Sequence, residues 1–259
     1  MKVTVLGSGT SSGVPIVGCS CGVCTSSNPK NKRLRSSCLF EVNEKIILID
    51  TGPDLRRQAL RHNIVHVDAV LYTHIHADHT HGIDELRVYN AYQKEAIPIY
   101  GDTKTIAHLV KTFSYIFTPP KDYPSLIPKL IPTPVEGKFD VLGIPVQMIP
   151  CHHGENYWTS NYRIKNVAWL TDTSGIPNSS LDLLQGLDVL LIDGLRLKPH
   201  PTHFHLEETL KITKKIGAKK TYLIHLTHDY DHDEFNKQLP NGVELAYDGL
   251  TLSTPFAND

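Results

Sequence analysis

The sequence predicts a layered α/β domain. Segments with the residue pattern of β-strands alternate along the chain with segments that have the pattern of amphipathic helices, an order typical of sheets covered by helices. The 259 residues are enough for one large domain with a buried core, and no linker composition divides them. We therefore expect a single domain over residues 1–259.

The first predicted strands are short runs rich in apolar residues, each ended by turn residues. Pro53 then opens a helix that runs to Arg61, because proline is favoured at the first helical position. We expect Leu55, Ala59 and Leu60 on the inner side of this helix. The strands before it span residues 3–7, 37–42 and 45–50.

Later elements are recognised by their ends. Asp102 is the predicted N-cap of a helix that runs to about residue 115. Leu206 and Leu210 share one stripe of a helix that Gly217 stops, and residues 219–224 return as a strand. The last strand-like run is 245–252.

One segment fits no regular pattern. Residues 113–137 hold six prolines and several aromatic side chains, too apolar for a free linker. We expect this segment to fold over the functional site, to contact a partner or to pack as a surface loop.

Charge and composition argue against several classes of function. The formal net charge is −1, so no general attraction to nucleic acid or to an anionic membrane is expected. Residues 1–7 lack the pattern of a signal peptide, and no apolar run is long enough to span a bilayer. We expect a cytoplasmic protein without membrane contact. The basic residues Lys30, Lys32, Arg33 and Arg35 are interpreted as a solvated loop, with phosphate binding as the alternative.

Residues 73–79, Thr-His-Ile-His-Ala-Asp-His, predict a metal site, since imidazole and carboxylate together form a ligand set for Zn, Mn or Fe. His74 and His76 can reach one ion if the chain stays extended, because alternate side chains of a strand share a face. Asp78 and His79 lie beyond the turn, where they can hold a second ion.

Further candidate ligands follow three later apolar runs, at His153, Asp172 and His225. Together with Leu-Ile-Asp-Thr-Gly at residues 48–52, these motifs resemble, in the same order, those of the metallo-β-lactamase superfamily. The resemblance covers residues 3–252. It implies an αββα fold, a four-layer sandwich of two mixed β-sheets with helices on the outer faces and the metal ions at one edge.

The resemblance also implies a binuclear site with two divalent ions, Mn or Zn. His153 rather than His152 is assigned as a ligand because it directly precedes Gly154, the place of the ligand in the family's third motif. Asp50 matches a position that orients the ligand loop through hydrogen bonds. The first ion is assigned to His74, His76 and His153, the second to Asp78, His79 and His225, and Asp172 bridges the two.

A Gly/Ser-rich segment holds three cysteines whose spacing, C-x-C-x-x-C, is too tight for a disulfide framework but suits thiolates that converge on zinc. A reactive dithiol is the alternative. We expect a structural zinc insert at about residues 18–35, with His228 as the fourth ligand. Cys38 and Cys151 are expected to be buried small hydrophobes. The three zinc-binding cysteines are Cys19, Cys21 and Cys24.

A finer resemblance is to the PhnP-type subgroup, which contains cyclic phosphodiesterases of phosphonate breakdown. In that subgroup a histidine before the penultimate helix assists catalysis, and His203 matches it. His205 is the nearby competitor but is expected to start the helix. The resemblance rests on the Gly-Ser-Gly-Thr opening at 7–10 with the cysteine insert, on the Trp-Leu-Thr-Asp-Thr stretch at 169–173, and on the His225-x-x-His228 pair.

The implied function is a metal-dependent phosphodiesterase. Two ions about 3.5 to 4 Å apart lower the pKa of a water held between them, which gives a bridging hydroxide nucleophile at neutral pH. We expect a small cyclic or nucleotide-like phosphodiester as substrate and no nucleic-acid partner, and a homodimer is one assembly that the sequence leaves open. The alternatives are a transfer-RNA 3′ processing endonuclease, disfavoured because no long basic arm is present, and a non-catalytic metalloprotein of cofactor biosynthesis.

Overall fold

The structure is a computed structural model that describes residues 1–254. The chain divides into two compact units. The first comprises residues 1–4, 37–136 and the described residues from 251 onward, and the second comprises residues 5–36 and 137–250. Residues 255–259, which the predicted domain includes, lie outside the described part of the chain.

Strands and helices alternate along most of the chain, as the sequence predicts, but five strands over residues 130–170 follow one another with no helix between them. The strands of the described residues are β1 (Lys2–Gly7), β2 (Ser37–Val42), β3 (Lys45–Ile49), β4 (Ala69–Leu71), β5 (Ile97–Gly101), β6 (Leu130–Pro134), β7 (Lys138–Val141), β8 (Ile144–His152), β9 (Trp158–Ile164), β10 (Val167–Leu170), β11 (Val189–Asp193), β12 (Lys220–Ile224), β13 (Val243–Leu245) and β14 (Thr251–Ser253). The α-helices of the same residues are α1 (Gly22–Thr25), α2 (Leu55–Arg61), α3 (Ala77–Thr80), α4 (Leu86–Gln93), α5 (Thr103–Thr112), α6 (Ser114–Phe117), α7 (Asn178–Asp182), α8 (Leu206–Ile216) and α9 (His232–Asn236).

The strands form two seven-stranded sheets, with the orders β14-β1-β2-β3-β4-β5-β6 and β13-β12-β11-β10-β9-β8-β7. Strands β3 to β6 run parallel, while β2 with β3 and β1 with β14 run antiparallel. In the second sheet β10 to β13 are parallel and β7 to β10 are antiparallel. Both sheets are therefore mixed, as expected.

Three parallel strands inside the sheets are completely buried. Every residue of β4, β10 and β11 is buried, which is typical of parallel strands that are covered on both faces. Polar residues begin where these strands end, so the ends of the buried strands are the places where functional side chains can gather.

Helix α2 corrects the predicted helix at Pro53. The helix begins at Leu55, after Asp54 at the N-cap, and Pro53 precedes it. Leu55 and Gln58 are buried, whereas Leu60 is 67% exposed. Five helical positions correspond to about 140° around the axis from Leu55, which turns Leu60 away from the buried face.

The proline-rich segment contains more regular structure than expected. It includes α6 and β6, and β6 pairs in parallel with β5 at the edge of the first sheet, with Ile97 opposite Leu130 and Gly101 opposite Pro134. Prolines are tolerated there because one side of an edge strand needs no backbone donor. That this segment covers a site or contacts a partner stays a prediction.

The run at 245–252 is also corrected, since it contributes to two strands, β13 and β14, each at an edge of its own sheet. A turn at Gly249, whose φ is +97°, separates them. No helix in residues 1–254 has the length and apolar composition needed to cross a membrane.

Candidate metal sites

The histidine-rich motif of the first unit lies on the loop after β4 and on α3. The Nε2 of His74 lies 2.9 Å from the Nδ1 of His76, and the Nε2 of His79 lies 3.2 Å from an Oδ2 of Asp78. His74 and His79 are buried, and His76 is exposed. The loop therefore presents two pairs of candidate ligands, each pair with its donor atoms within 4.8 Å.

Asp50, directly after β3, orients this loop. Its carboxylate accepts hydrogen bonds from the backbone N–H of Thr73 at 2.8 Å, from the Thr73 hydroxyl at 2.7 Å and from His79 Nδ1 at 2.7 Å. Burial raises the pKa of the Asp50 carboxyl, while His79 and Thr73 act in the opposite direction. The three donors favour the ionised form, which fits the predicted orienting role.

The same contacts indicate which nitrogen of each histidine keeps a lone pair for a metal. His79 donates its Nδ1 proton to Asp50, so its Nε2 keeps a lone pair. The Thr73 hydroxyl has given its only proton to Asp50, so it accepts from His74 Nδ1 at 3.0 Å. The Nε2 atoms of His74 and His79 are therefore both left as metal ligands.

Three candidate site residues share an unusual backbone conformation. Asp50, Asp172 and His225 follow β3, β10 and β12, and their φ angles are +61°, +51° and +59°. Residues other than glycine seldom adopt this left-handed region, which costs about 1–3 kcal/mol each and is concentrated at functional sites. The sharp bend at the end of each strand turns the side chain out of the sheet.

In the second unit, His153 donates its Nδ1 proton to the backbone oxygen of Thr202 at 2.7 Å, so its Nε2 keeps a lone pair. A donor atom of His153 lies within 4.8 Å of one of Asp172. His152, the other member of the doublet, instead packs against Trp158 with ring centroids 3.9 Å apart. The structure thus brings His153, and not His152, to Asp172.

His225 also lies beside the Asp172 carboxylate, with Nδ1 3.4 Å from Oδ2. The hydroxyl of Ser36 donates to the oxygen of Gly9 at 3.0 Å, so it accepts from His225 Nδ1 at 3.1 Å and leaves Nε2 as a ligand. Asp172 is therefore shared by two candidate ligands of this unit. Its geometry within the unit fits the predicted bridging position.

His203 is held by a residue that the sequence analysis missed. Its Nδ1 lies 2.7 Å from Oδ2 of Asp193, the last residue of β11, and its Nε2 lies 3.9 Å from Oδ1 of Asp172. Asp193 is fully buried. The sequence signal that identifies Asp193 as a candidate is its position at the end of an apolar run, which it shares with Asp50. His205 is the N-cap of α8 and contacts Glu208, as expected.

The cysteine insert forms a four-ligand cluster within the second unit. The Nδ1 of His228 lies 3.3 Å from Cys19 Sγ, 3.5 Å from Cys21 Sγ and 3.4 Å from Cys24 Sγ. The N–H of Cys24 lowers the pKa of Cys21 to about 6, and burial raises that of Cys24 to about 11. Three thiols and one imidazole are a common ligand set of structural zinc.

Arg33 corrects the interpretation of the basic run as a solvated loop, because it is only 1% exposed. Its guanidinium donates to the backbone oxygens of Tyr230 at 2.7 Å and Thr227 at 3.2 Å. Burial lowers its pKa to about 10, so it stays charged at neutral pH. Arg33 therefore ties the insert to the segment that carries His228.

Together these donor sets fit divalent metal ions. The clusters at the strand ends combine carboxylates with imidazole nitrogens that keep a lone pair. The cluster of the cysteine insert combines three thiols with one imidazole. Cys38 and Cys151 are fully buried, and burial raises the pKa of both thiols, that of Cys151 to about 12.

Comparison with known proteins agrees with these features. The family model described as a beta-lactamase superfamily domain matches residues 45–226. A curated relative, an octanoyltransferase of Porphyromonas gingivalis, is 37% identical over 254 residues, which cover 96% of this chain and 51% of the relative. The chain thus spans about half the length of that relative.

Two solved structures are similar over almost the whole chain. A diphosphatase from the PhnP family is 43% identical, with a TM-score of 0.90, and the match covers 97% of this chain and 96% of that one. Zinc-bound PqqB from Methylobacterium extorquens is 18% identical, with a TM-score of 0.73, and the match covers 98% and 100%. The second likeness is one of fold alone.

Proposed function

The chain belongs to the beta-lactamase superfamily and, within it, to the PhnP family, and we propose that it hydrolyses a small phosphodiester. It has the metallo-β-lactamase fold, with two mixed sheets and helices, and it is a metal-dependent hydrolase by family. What we propose is the number of metal ions, the reaction at phosphorus and the residues that carry out this reaction.

We propose that the candidate ligands hold two metal ions, as the family resemblance implies. The first unit offers one pair of histidines and one aspartate–histidine pair, and in the second unit Asp172 is shared by His153 and His225. Family membership supports joining these pairs into two complete sets bridged by Asp172. Divalent ions bound there would supply an activated water at neutral pH.

The contact between Asp193 and His203 is the observation that carries the proposal. A water that gives one proton to solvent forms a bond from its oxygen to phosphorus, and the bond from phosphorus to the leaving oxygen breaks. His203 holds a proton at Nε2 for that leaving oxygen and is reprotonated afterward from solvent, while Asp193 keeps its Nδ1 proton in place. Nε2 of His203 lies 3.9 Å from Oδ1 of Asp172, so this proton donor is beside the proposed bridging carboxylate.

A phosphoanhydride is the second candidate for the scissile bond. The similar PhnP-family enzyme is a diphosphatase and is 43% identical to this chain. A diester of diphosphate contains the same phosphorus centre as a simple phosphodiester, with a phosphate in place of an alkoxide as leaving group. We do not propose octanoyl transfer for this chain, because about half of the octanoyltransferase lies outside the matched region.

We propose that the binding partner of this protein is a small-molecule substrate. A net charge of −1 gives no general attraction to a nucleic acid, and we propose that substrate recognition takes place at the site itself. The cytoplasmic location and the homodimer stay predictions.

One substrate panel tests the proposal. Protein of measured metal content is assayed with bis(p-nitrophenyl) phosphate, a ribose cyclic phosphate, cyclic nucleotides, ADP-ribose, a thioester and a precursor transfer RNA. Metal-dependent turnover of the small phosphoric diesters is expected. Cleavage of the transfer RNA alone would favour the processing endonuclease, and metal binding without turnover of any substrate would favour a carrier.

A further inference from the structure

His200 is a second imidazole beside His203 with no role in the proposed reaction so far. It lies between Pro199 and Pro201, on the segment that joins β11 to α8. The ring centroids of His200 and His203 are 5.1 Å apart, with the planes inclined by 59°. His200 is half-buried and His203 is 9% exposed, so His200 is the more accessible of the two.

The hydrogen bonds of His200 determine which of its nitrogens carries the proton. The backbone N–H of Thr202 donates to Nδ1 of His200 at 3.3 Å, and the Thr202 hydroxyl lies 3.2 Å from the same atom. A backbone N–H can only donate, so Nδ1 holds a lone pair and the proton of the neutral ring is on Nε2. His200 therefore presents an N–H donor at Nε2.

The turn that fixes His200 also holds a candidate metal ligand. The backbone oxygen of Thr202 accepts from Nδ1 of His153. The Thr202 methyl packs so closely against Gly154 that a Cβ there would lie 3.1 Å from it. One residue thus sets the orientation of His153 and of His200, and a fixed donor is what recognition of a defined substrate atom requires.

We propose that His200 recognises the leaving group by donating its Nε2 proton to an anionic oxygen, and that the site thereby favours a phosphate leaving group, as in a diester of diphosphate. The inference rests on the proposed function, in which His203 protonates the leaving oxygen. A leaving phosphate carries charged, non-bridging oxygens next to that atom, whereas an alkoxide carries none. Hydrogen bonds to charged oxygens are stronger than those to neutral groups.

Two substitutions separate recognition from a structural role in the turn. In His200→Gln the side-chain NH2 replaces the Nε2 donor, whereas in His200→Asn the side-chain oxygen replaces the Nδ1 acceptor that Thr202 uses. The substrates are ADP-ribose, whose leaving group is an anionic phosphate, and bis(p-nitrophenyl) phosphate, whose leaving group has no anionic oxygen beside the scissile bond. His108→Ala, at a histidine of α5 that is half-buried like His200, is the matched control.

His200→Ala is expected to lower kcat/KM for ADP-ribose about 10- to 100-fold, mainly through KM, with little change for bis(p-nitrophenyl) phosphate. His200→Gln should recover much of the loss, and His200→Asn should not. Recovery by Asn but not Gln, or equal losses on both substrates, would overturn the inference in favour of a role in the turn.

The wild-type protein separates the two proposals. If it turns over neither substrate, the proposed function itself fails. If it hydrolyses bis(p-nitrophenyl) phosphate but not ADP-ribose, the function stands and the assignment of His200 to a phosphate leaving group is wrong.

Discussion

The Oδ2 atom of Asp193 lies 2.7 Å from Nδ1 of His203, and the same carboxylate accepts two backbone N–H groups, from Thr173 at 3.0 Å and Leu195 at 3.1 Å. Three donors thus point at one buried carboxylate. This arrangement fixes the ring of His203 and its Nδ1 proton, and it leaves Nε2 as the atom that can exchange a proton with a substrate.

Asp193→Asn is expected to lower kcat on a substrate with a poor leaving group by about 10²-fold or more, because general acid catalysis contributes about 10²–10⁴ in rate. The amide must turn its NH2 either toward Leu195 or toward Thr173 and His203, so at least one of these contacts is lost. The negative charge that holds the Nδ1 proton of His203 is lost in both cases. Asp188→Asn, at a carboxylate paired with Lys219, is the control. Unchanged kcat at full metal content would show that Asp193 is only structural.

His203→Ala should strongly reduce hydrolysis of a ribose cyclic phosphate and spare much of the activity on a p-nitrophenyl ester. An expelled alkoxide needs a proton, whereas p-nitrophenolate is already a stable anion. Rates on both substrates, measured with metal content, test this. Equal losses with intact metal would indicate substrate binding or a structural role instead.

The candidate ligands could be found from the sequence because most of them lie in short local patterns. His74, His76, Asp78 and His79 occur within six residues, and each later ligand follows an apolar strand. The structure adds side-chain contacts that local sequence patterns do not show. Asp193 reaches its partner only because the segment after β11 returns over the end of that strand.

Long-range packing explains the errors as well. Arg33 has the sequence context of a solvated loop, but its acceptors are 194 and 197 residues away, so its burial is invisible in the sequence. The expectation that Leu60 faces the core rests on its apolar side chain. In the structure, the polar residue Gln58 of the same helix is buried and Leu60 is exposed. His153 is assigned from the family motif alone, and the packing of His152 against Trp158 favours the same choice.

Protein purified without chelator is expected to contain about three divalent ions per chain, two at the proposed binuclear site and one at the cysteine cluster. Asp172→Ala should abolish turnover while the far-ultraviolet circular dichroism stays unchanged, because a shared carboxylate is lost from both ions. Elemental analysis and activity are measured on the same sample. Fully active protein with one ion or fewer would contradict the binuclear proposal.

Cys21→Ser is expected to lose one ion and to lower stability more than catalysis, since metal binding at such a site adds to the free energy of folding. His228→Ala should lose the same ion, because its Nδ1 lies within 3.5 Å of all three sulfurs. Cys38→Ser, outside the cluster, is the control for ion content. Retention of three ions by His228→Ala would rule out His228 as the fourth ligand.

Arg33→Met tests whether the buried guanidinium secures the segment that carries His228. Methionine fills part of the space but leaves the oxygens of Thr227 and Tyr230 without this donor, and each buried acceptor that loses its partner costs about 1–3 kcal/mol. We therefore expect the free energy of unfolding to fall by about 2–6 kcal/mol. Urea denaturation measures the loss.

The same variant should release its zinc to a chromophoric chelator faster than the wild type, although all four ligands are present, because residues 227–230 are no longer held against the insert. Arg56→Met, at an exposed arginine of α2, should change neither stability nor release. If Arg33→Met unfolds at the wild-type urea concentration and keeps its zinc as long, Arg33 does not anchor the segment and the insert is held by its metal ligands alone.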